Sequence, residues 1–199
     1  MRVEIRIAGF GGQGVALTGI ILGKALALYG GLEAVMTQAY GPEARGGASS
    51  ANIVVSDQDI AYPFVQQPDF LVALSQEAYT KFRPTAKAEA VILIDEELVD
   101  PHPSDIVLSI PSTRLAEGLG RRIVTNVVML GFFTAVSDIV SRPAVEEAIR
   151  ETVKPKTVPL NLEAFDAGYQ YHIDHPHPLP TAQNVVETTT VGVIKEPVK

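Results

Sequence analysis

The chain has 199 residues, 46% of them hydrophobic and 20% charged, which suits one well-filled domain and is too apolar for disorder. A net charge of −7 with no dense lysine or arginine block argues against a nucleic-acid surface. The lack of cysteine excludes disulfides, thiolate metal sites and iron–sulfur clusters held by this chain, and it fits a reducing cytoplasm.

Val3–Ala8 alternates around Glu4 and Arg6 and then meets Gly9, the pattern of a strand entering a tight turn. Val3–Ile7 is too short for the apolar core of a secretory leader. Val15–Tyr29 is apolar on nearly every side, and its length and its Ala, Leu and Lys content predict a helix. Ala16, Gly19, Gly23 and Ala27 form a flat stripe on that helix, suited to close approach of a sheet. A helix apolar all round needs cover on its second face, which hints at a partner subunit, a second copy included. Leu32–Thr37 reads as a second strand and Ala51–Ser56 as a third, followed by a hairpin through Asp57–Asp59. Asp69–Leu74 is a further strand and Gln76–Phe82 a short helix. Ala90–Asp95 and Asp105–Ile110 are β-branched runs typical of interior strands.

Ser112–Leu119 predicts a small helix, and Asn126 is placed to cap an apolar helix reaching Val140. Neither long apolar run spans a bilayer: Val15–Tyr29 carries Lys24, Asn126–Val140 carries Asp138, and both fall short of about 20 residues. Pro143 fits the first turn of another helix, with Glu146 and Glu147 near the positive end of its dipole. Leu160–His172 closes the domain, residues 1–172. Residues 173–199 change character: Pro176, Pro178 and Pro180 stiffen them and no helical stripe follows, so they read as a tail or partner-binding arm. The alternation of strands and helices predicts an α/β, three-layer, Rossmann-like sandwich with a mainly parallel sheet and a β-hairpin insertion.

Two loops carry the chemistry. Gly9-x-Gly11-x-x-Gly14 has the spacing of a dinucleotide-binding turn, in which backbone N–H groups approach an anion at a helix start. That reading also wants an acid at the end of the second strand, and here the strand ends VMTQAY with Glu33 at its beginning. Glycine used only for tight packing is the plain alternative, although Gln13 inside the turn can hydrogen-bond a ligand or a partner loop. In the second loop, Gly41 and Pro42 set a turn and Gly46–Gly47 expose amides beside Arg45. The planar fork of Arg45 suits a carboxylate or pyrophosphate, with Glu43 in reach to hold it. A solvated turn with an incidental ion pair is the bland reading there. Both loops follow strands and so lie along the carboxyl edge of the sheet.

Other candidates are weaker. His172, His175 and His177 with Asp174 lack the rigid scaffold that metal geometry needs. Ser49 and Ser50 lack a His–Asp constellation. The charges of Ser56–Asp59 and Asp95–Leu98 read as exposed hairpin and strand-end positions.

GFGGQGV, QAYGPEARGGASSA and LVALSQEAYTKF together resemble the gamma subunit of 2-oxoacid:ferredoxin oxidoreductases, the pyruvate/ketoisovalerate oxidoreductase catalytic-domain family, over roughly residues 3 to 172. Within it the chain looks most similar to the 2-oxoglutarate type. The resemblance implies a complex that converts a 2-oxoacid, coenzyme A and oxidised ferredoxin to acyl-CoA, CO2 and reduced ferredoxin. It places thiamine diphosphate, magnesium and the iron–sulfur clusters on partner alpha, beta and ferredoxin-like subunits, and none of them on this chain, which would be inactive alone. Gly9, Gly11, Gly12, Gln13 and Gly14 match the first family loop, and Tyr40, Gly41, Pro42, Glu43, Arg45, Gly46 and Gly47 the second; these would contribute to the coenzyme A site. No residue is assigned a catalytic or metal-binding role, and no nucleic-acid or membrane partner is implied. A stand-alone nucleotide-binding enzyme or sensor, and a purely architectural subunit, remain the competing readings.

Overall fold

Six strands form one sheet in the order β2-β3-β1-β4-β5-β6. The computed structural model describes residues 1–39 and 48–176, so Tyr40, Gly41, Pro42, Glu43, Arg45, Gly46 and Gly47 lie outside the described residues, as does the tail from residue 177. The strands are β1 (Arg2–Gly9), β2 (Glu33–Ala39), β3 (Ser49–Ser56), β4 (Phe70–Ala73), β5 (Val91–Asp95) and β6 (Ile106–Ile110). β4, β5 and β6 pair in parallel onward from β1, whereas β3 runs antiparallel to both β1 and β2. Five strands therefore point one way and only β3 is reversed. The hairpin expected after Ser56 is instead formed by β2 and β3 on either side of residues 40–48. Ser56 leads into an irregular crossing to β4, because β3 already has partners on both edges.

Strict alternation sorts the sheet side chains. Ile5, Ile7, Ile53, Val55, Val72 and Leu93 face a layer built from α1 (Val15–Lys24), α3 (Ser112–Gly118), α4 (Thr125–Ser137), α5 (Arg142–Thr152) and α6 (Val158–Asp174). Ala8, Leu71, Ala73, Ile92 and Ile94 face the other way, onto Ala78 and Tyr79 of α2 (Gln76–Phe82). The result is an α/β three-layer arrangement with its layers unequal. Where α2 does not reach, the sheet face is polar yet buried. Arg6 donates to Asn52 Oδ1 at 2.7 Å, Thr85 Oγ1 at 2.6 Å and the Val65 carbonyl, and lies over the Phe82 ring. Burial pushes the Arg6 guanidinium below its ordinary value, and the Glu4 carboxylate pulls the other way. Glu4 accepts the backbone N–H groups of Gln66 and Gln67. These bonds fold the crossing segment against the sheet.

Helix α1 is shorter than the sequence predicts, because Ala25–Tyr29 continue it as a π-helical turn. Its stripe packs on the sheet as expected: a Cβ at Gly19 would lie 2.6 Å from Ala51 Cβ. Its second face is covered in part within the chain, where α5 packs against α1 and its π-helical end, while Ile20 and Leu28 stay exposed. Ser141 caps α5 with Pro143 in the first turn, but Glu146 lies a turn further on and pairs with Arg142 at 2.7 Å rather than with the helix dipole. The tightest contact joins α4 and α6. A Cβ on Gly131 would lie 2.0 Å from the Phe165 carbonyl oxygen, and one on Gly168 1.8 Å from that of Val128. Nothing but hydrogen fits in either place. No helix among the described residues is long and apolar enough to cross a membrane.

The amino edge of the sheet is pinned by ion pairs: Lys87 with Asp69, and Arg83 with Asp105, which also accepts from the Tyr79 hydroxyl. Burial pushes the Asp105 carboxyl up, but hydrogen bonds from Arg83 and Tyr79, with the Arg83 charge, outweigh it and hold the carboxyl below the ordinary value. A depressed carboxylate stabilises the fold above its unfolded pKa of about 3.9 and loses that contribution as pH falls through the folded value. Acid unfolding of Asp105→Asn should therefore show a smaller loss of stability below about pH 4 than the parent, and parallel urea curves at pH 3 and pH 6 measure the difference. Gly131→Ala, which forces two backbones apart, should cost about 3 kcal/mol or more in urea unfolding. A loss below ~1 kcal/mol would mean that the helix crossing is not close-packed.

Candidate functional site

At the carboxyl edge the chain leaves β1 through α1 toward β2, and leaves β4 through α2 toward β5. The crevice between β1 and β4 is thus the switch point of the sheet, where open α/β sheets bind ligands. A cavity of about 320 Å³ opens there, walled by Gly12, Gln13, Thr113, Arg122, Ile123 and Asn126 among others.

The glycine loop is held by its own side chains. Gln13 Oε1 accepts the Phe10 N–H at 2.6 Å, and Gln13 Nε2 donates to the Leu74 carbonyl, just beyond β4, at 2.9 Å. Gln13 lines the cavity, yet both ends of its amide are engaged within the chain, closing the turn and strapping it to the neighbouring strand. Gly12 has φ +94° and Gly14 φ +74°, conformations that other residues rarely adopt. Gly14 has a second reason to be glycine, because a Cβ there would meet Asn126 Nδ2 at 2.4 Å. Cβ atoms at Gly11 and Gly12 would meet nothing within 4 Å, so this part of the loop stands open. Helix α1 begins from Gly14 with no side-chain cap and no acid in its first turn. An anion is what such an end attracts.

Two wall residues, Asn126 and Arg122, and one buried behind the wall, Asp95, lay outside the sequence reading of the site. Asn126 was expected to cap α4; it lies inside the helix, 3% exposed, and its Nδ2 donates to Thr18 Oγ1 at 3.0 Å and the Gly14 carbonyl at 3.3 Å. The cap assignment failed because a long-range partner captured the amide. Asp95 was read as an exposed strand end but is fully buried. Its Oδ2 accepts Ser112 Oγ, the Thr113 N–H and Thr113 Oγ1 at 2.5–2.8 Å, and its Oδ1 accepts the Glu97 N–H, so it fixes Thr113 on the cavity wall. The available signal was its position as the last residue of an apolar interior strand, on the ligand-binding edge. Arg122 had no signal in local sequence; its guanidinium is mostly exposed and meets Glu117 only at 3.8 Å.

The expectation that both loops share one edge holds for the described ends of the second. Gly9 pairs in register with Ser49, and Ser49 Oγ donates to the Gly9 carbonyl at 3.1 Å. The same pairing disfavours a dinucleotide site of the usual kind. The neighbour of β1 on this side is the reversed strand β3, and Glu33 opens β2 at the far edge of the sheet. Among the described residues the cavity wall carries no Asp, Glu, His or Lys. It can bind and orient an anion but offers no acid–base pair.

Residues 4–171 match the family described as pyruvate ferredoxin/flavodoxin oxidoreductase. The chain is 50% identical over 175 residues to the 2-oxoglutarate synthase subunit KorC of Methanocaldococcus jannaschii, covering 85% of this chain and 94% of that protein. The keto/oxoacid ferredoxin oxidoreductase gamma subunit of Geobacter sulfurreducens superposes with a TM-score of 0.80 at 37% identity, covering 87% of this chain and 98% of the other. The 2-oxoglutarate:ferredoxin oxidoreductase of Magnetococcus marinus, solved with 2-oxoglutarate, coenzyme A and succinyl-CoA, shares the fold at a TM-score of 0.79 and 23% identity. The match covers 91% of this chain and 32% of that one.

Removing the Asp95 carboxylate strands several buried donors at once. Asp95→Ala should lower the unfolding free energy by about 3 kcal/mol, read from urea melts at neutral pH. A change under ~1 kcal/mol would remove its role as the anchor of the wall.

Proposed function

The chain belongs to the pyruvate ferredoxin/flavodoxin oxidoreductase family, and from that premise we propose that it is the gamma-type subunit of a 2-oxoglutarate:ferredoxin oxidoreductase. The observation that carries the reading is the 50% identity to a 2-oxoglutarate synthase subunit across nearly the full length of both chains. The complex takes 2-oxoglutarate, coenzyme A and two oxidised ferredoxins to succinyl-CoA, CO2, a proton and two reduced ferredoxins. Thiamine diphosphate and iron–sulfur clusters supply the decarboxylation and electron transfer from the partner alpha, beta and ferredoxin-like subunits. This chain lacks the cysteines for a cluster. Its own part is assembly and the coenzyme A side of the active site.

The physical support for that part is the open glycine loop at the switch point and its uncapped helix start. Gly9, Gly11, Gly12 and Gly14 shape that loop, and Gln13 holds it. From the sequence, the loop Tyr40–Gly47 adds Arg45 as a second grip on the ligand. Anoxic co-purification with mass spectrometry should recover the thiamine- and cluster-bearing subunits, and the purified complex should prefer 2-oxoglutarate over other 2-oxoacids. Recovery of a lone chain carrying a nucleotide would reject the reading. In the assembled complex, Arg45→Ala should raise the KM for coenzyme A about tenfold and leave CoA-independent release of CO2 unchanged. Lower assembly yield with normal coenzyme A kinetics would instead make the loop architectural.

A further inference from the structure

Strand β6 closes one side of the sheet and pairs only with β5 among the described residues. Its register, and the bond from the Glu96 N–H to the Ile110 carbonyl, turn the backbone groups of Ile106, Leu108 and Ile110 toward β5. The N–H and C=O of Val107 and Ser109 therefore point outward, and among the described residues nothing bonds to them. Proteins blunt such an edge with a charge, a proline or a bulge. Ile106–Ile110, IVLSI, carries neither charge nor proline, and its register with β5 is unbroken. Helix α6 delivers the chain to the same place. The Tyr171 hydroxyl lies within electrostatic reach of Glu96, just past β5, and of Arg114 in α3. The His175 ring stacks on Tyr171 with centroids 4.5 Å apart. The chain thus leaves α6 at the carboxyl ends of β5 and β6.

We propose that residues 185–194 add to the outer edge of β6 as a seventh strand of this chain's own sheet, antiparallel to β6. The segment reads VVETTTVGVI, eight β-branched residues in ten, a composition that fits a pleated, half-covered surface. Direction follows from the exit point, because a chain released at the carboxyl edge runs back against β6 in order to lie along it. Reach follows from length. The nine residues 176–184 include Pro176, Pro178 and Pro180, and at about 3.1 Å per residue they span roughly 28 Å when extended. That is enough to pass one helix, about 10–12 Å across, on the way to the edge. The other edge, β2, lies five strand spacings further on, about 24 Å across the sheet, so β6 is the edge the segment meets first. The protections that β6 lacks stand in this segment and just past it, as Glu187, Lys195, Glu196 and Pro197. The new edge is charged where the old one is bare, and it no longer invites a strand from another molecule. The family match ends at residue 171, so the closure uses a part of the chain outside the matched region.

The test uses the full-length chain, alone and in the purified complex. Hydrogen exchange at the Val107 and Ser109 amides should be slow in the parent and about tenfold or more faster in Thr189→Pro, which removes a donor and breaks the added strand. Ala182→Pro, in the connecting segment, should leave both amides protected. The chain has no cysteine, so a cross-link can be placed cleanly. With Ser109→Cys on β6 and a single cysteine stepped from residue 187 to 193, oxidation should close a disulfide within one chain, since facing Cα atoms lie about 5.5 Å apart. The yield should peak at one position and fall at both adjacent ones, whose side chains turn to the other face. Fast exchange in the parent, or equal exchange in the parent and Thr189→Pro, overturns the proposal. Disulfides that join two copies would make the occupant a second copy's segment. Protection that arises only in the complex and ignores Thr189→Pro would give the edge to a partner subunit. Either result overturns closure within the chain.

Discussion

One reversed strand decides where everything at the carboxyl edge can lie. β3 is wedged between β1 and β2 and runs against both. Because it starts where β1 ends, the described ends of the second loop sit beside the glycine turn, Ser49 against Gly9. Because it occupies the place next to β1, β2 is displaced to the rim of the sheet and its end moves out of reach of the switch point. A glycine turn with dinucleotide spacing thus stands without the neighbour that would bind a ribose. The same insertion that removes one kind of site sets the start of β3 beside the glycine turn.

The two edges of the sheet are built with opposite physics. At the amino edge, ion pairs and hydrogen bonds join the segments before β4, β5 and β6. At the carboxyl edge the bonds are spent on fixing a cavity: Gln13 straps the turn to β4, Asp95 sets Thr113, and Asn126 bridges α4 to the start of α1. All three are bonded within the fold, and they rigidify a wall whose exposed side is available to a ligand. The described part of the site is preorganised for binding.

Much of this was legible in the sequence because it is written locally. Gln76–Phe82, the β-branched strands β5 and β6, and the stripe of α1 follow from period and turn residues, and the structure places them within a residue or two. Long-range facts were not legible. The hairpin partner of β3 depends on a strand eleven or more residues back, the cover of α1 on a helix more than a hundred residues on, and the buried state of Asp95 on hydroxyls beyond β6. Asn126 shows the limit most plainly: its local preference as a cap is real, but a partner 108 residues away in sequence, Thr18, outcompetes it. The first loop of the site was found because glycine announces an unusual backbone; Arg122, with no such constraint, was not.

The backbone contact of α4 with α6 bears on how force passes through the molecule. With Gly131 and Gly168 each admitting only hydrogen, the two helices interlock and neither can slide along the other without a carbonyl striking an α-carbon. A push on the outer surface of α6 is therefore delivered undamped to α4, whose first turn holds Asn126 and whose approach carries Arg122. A neighbour gripping α6 would bear on the cavity wall through this interlock.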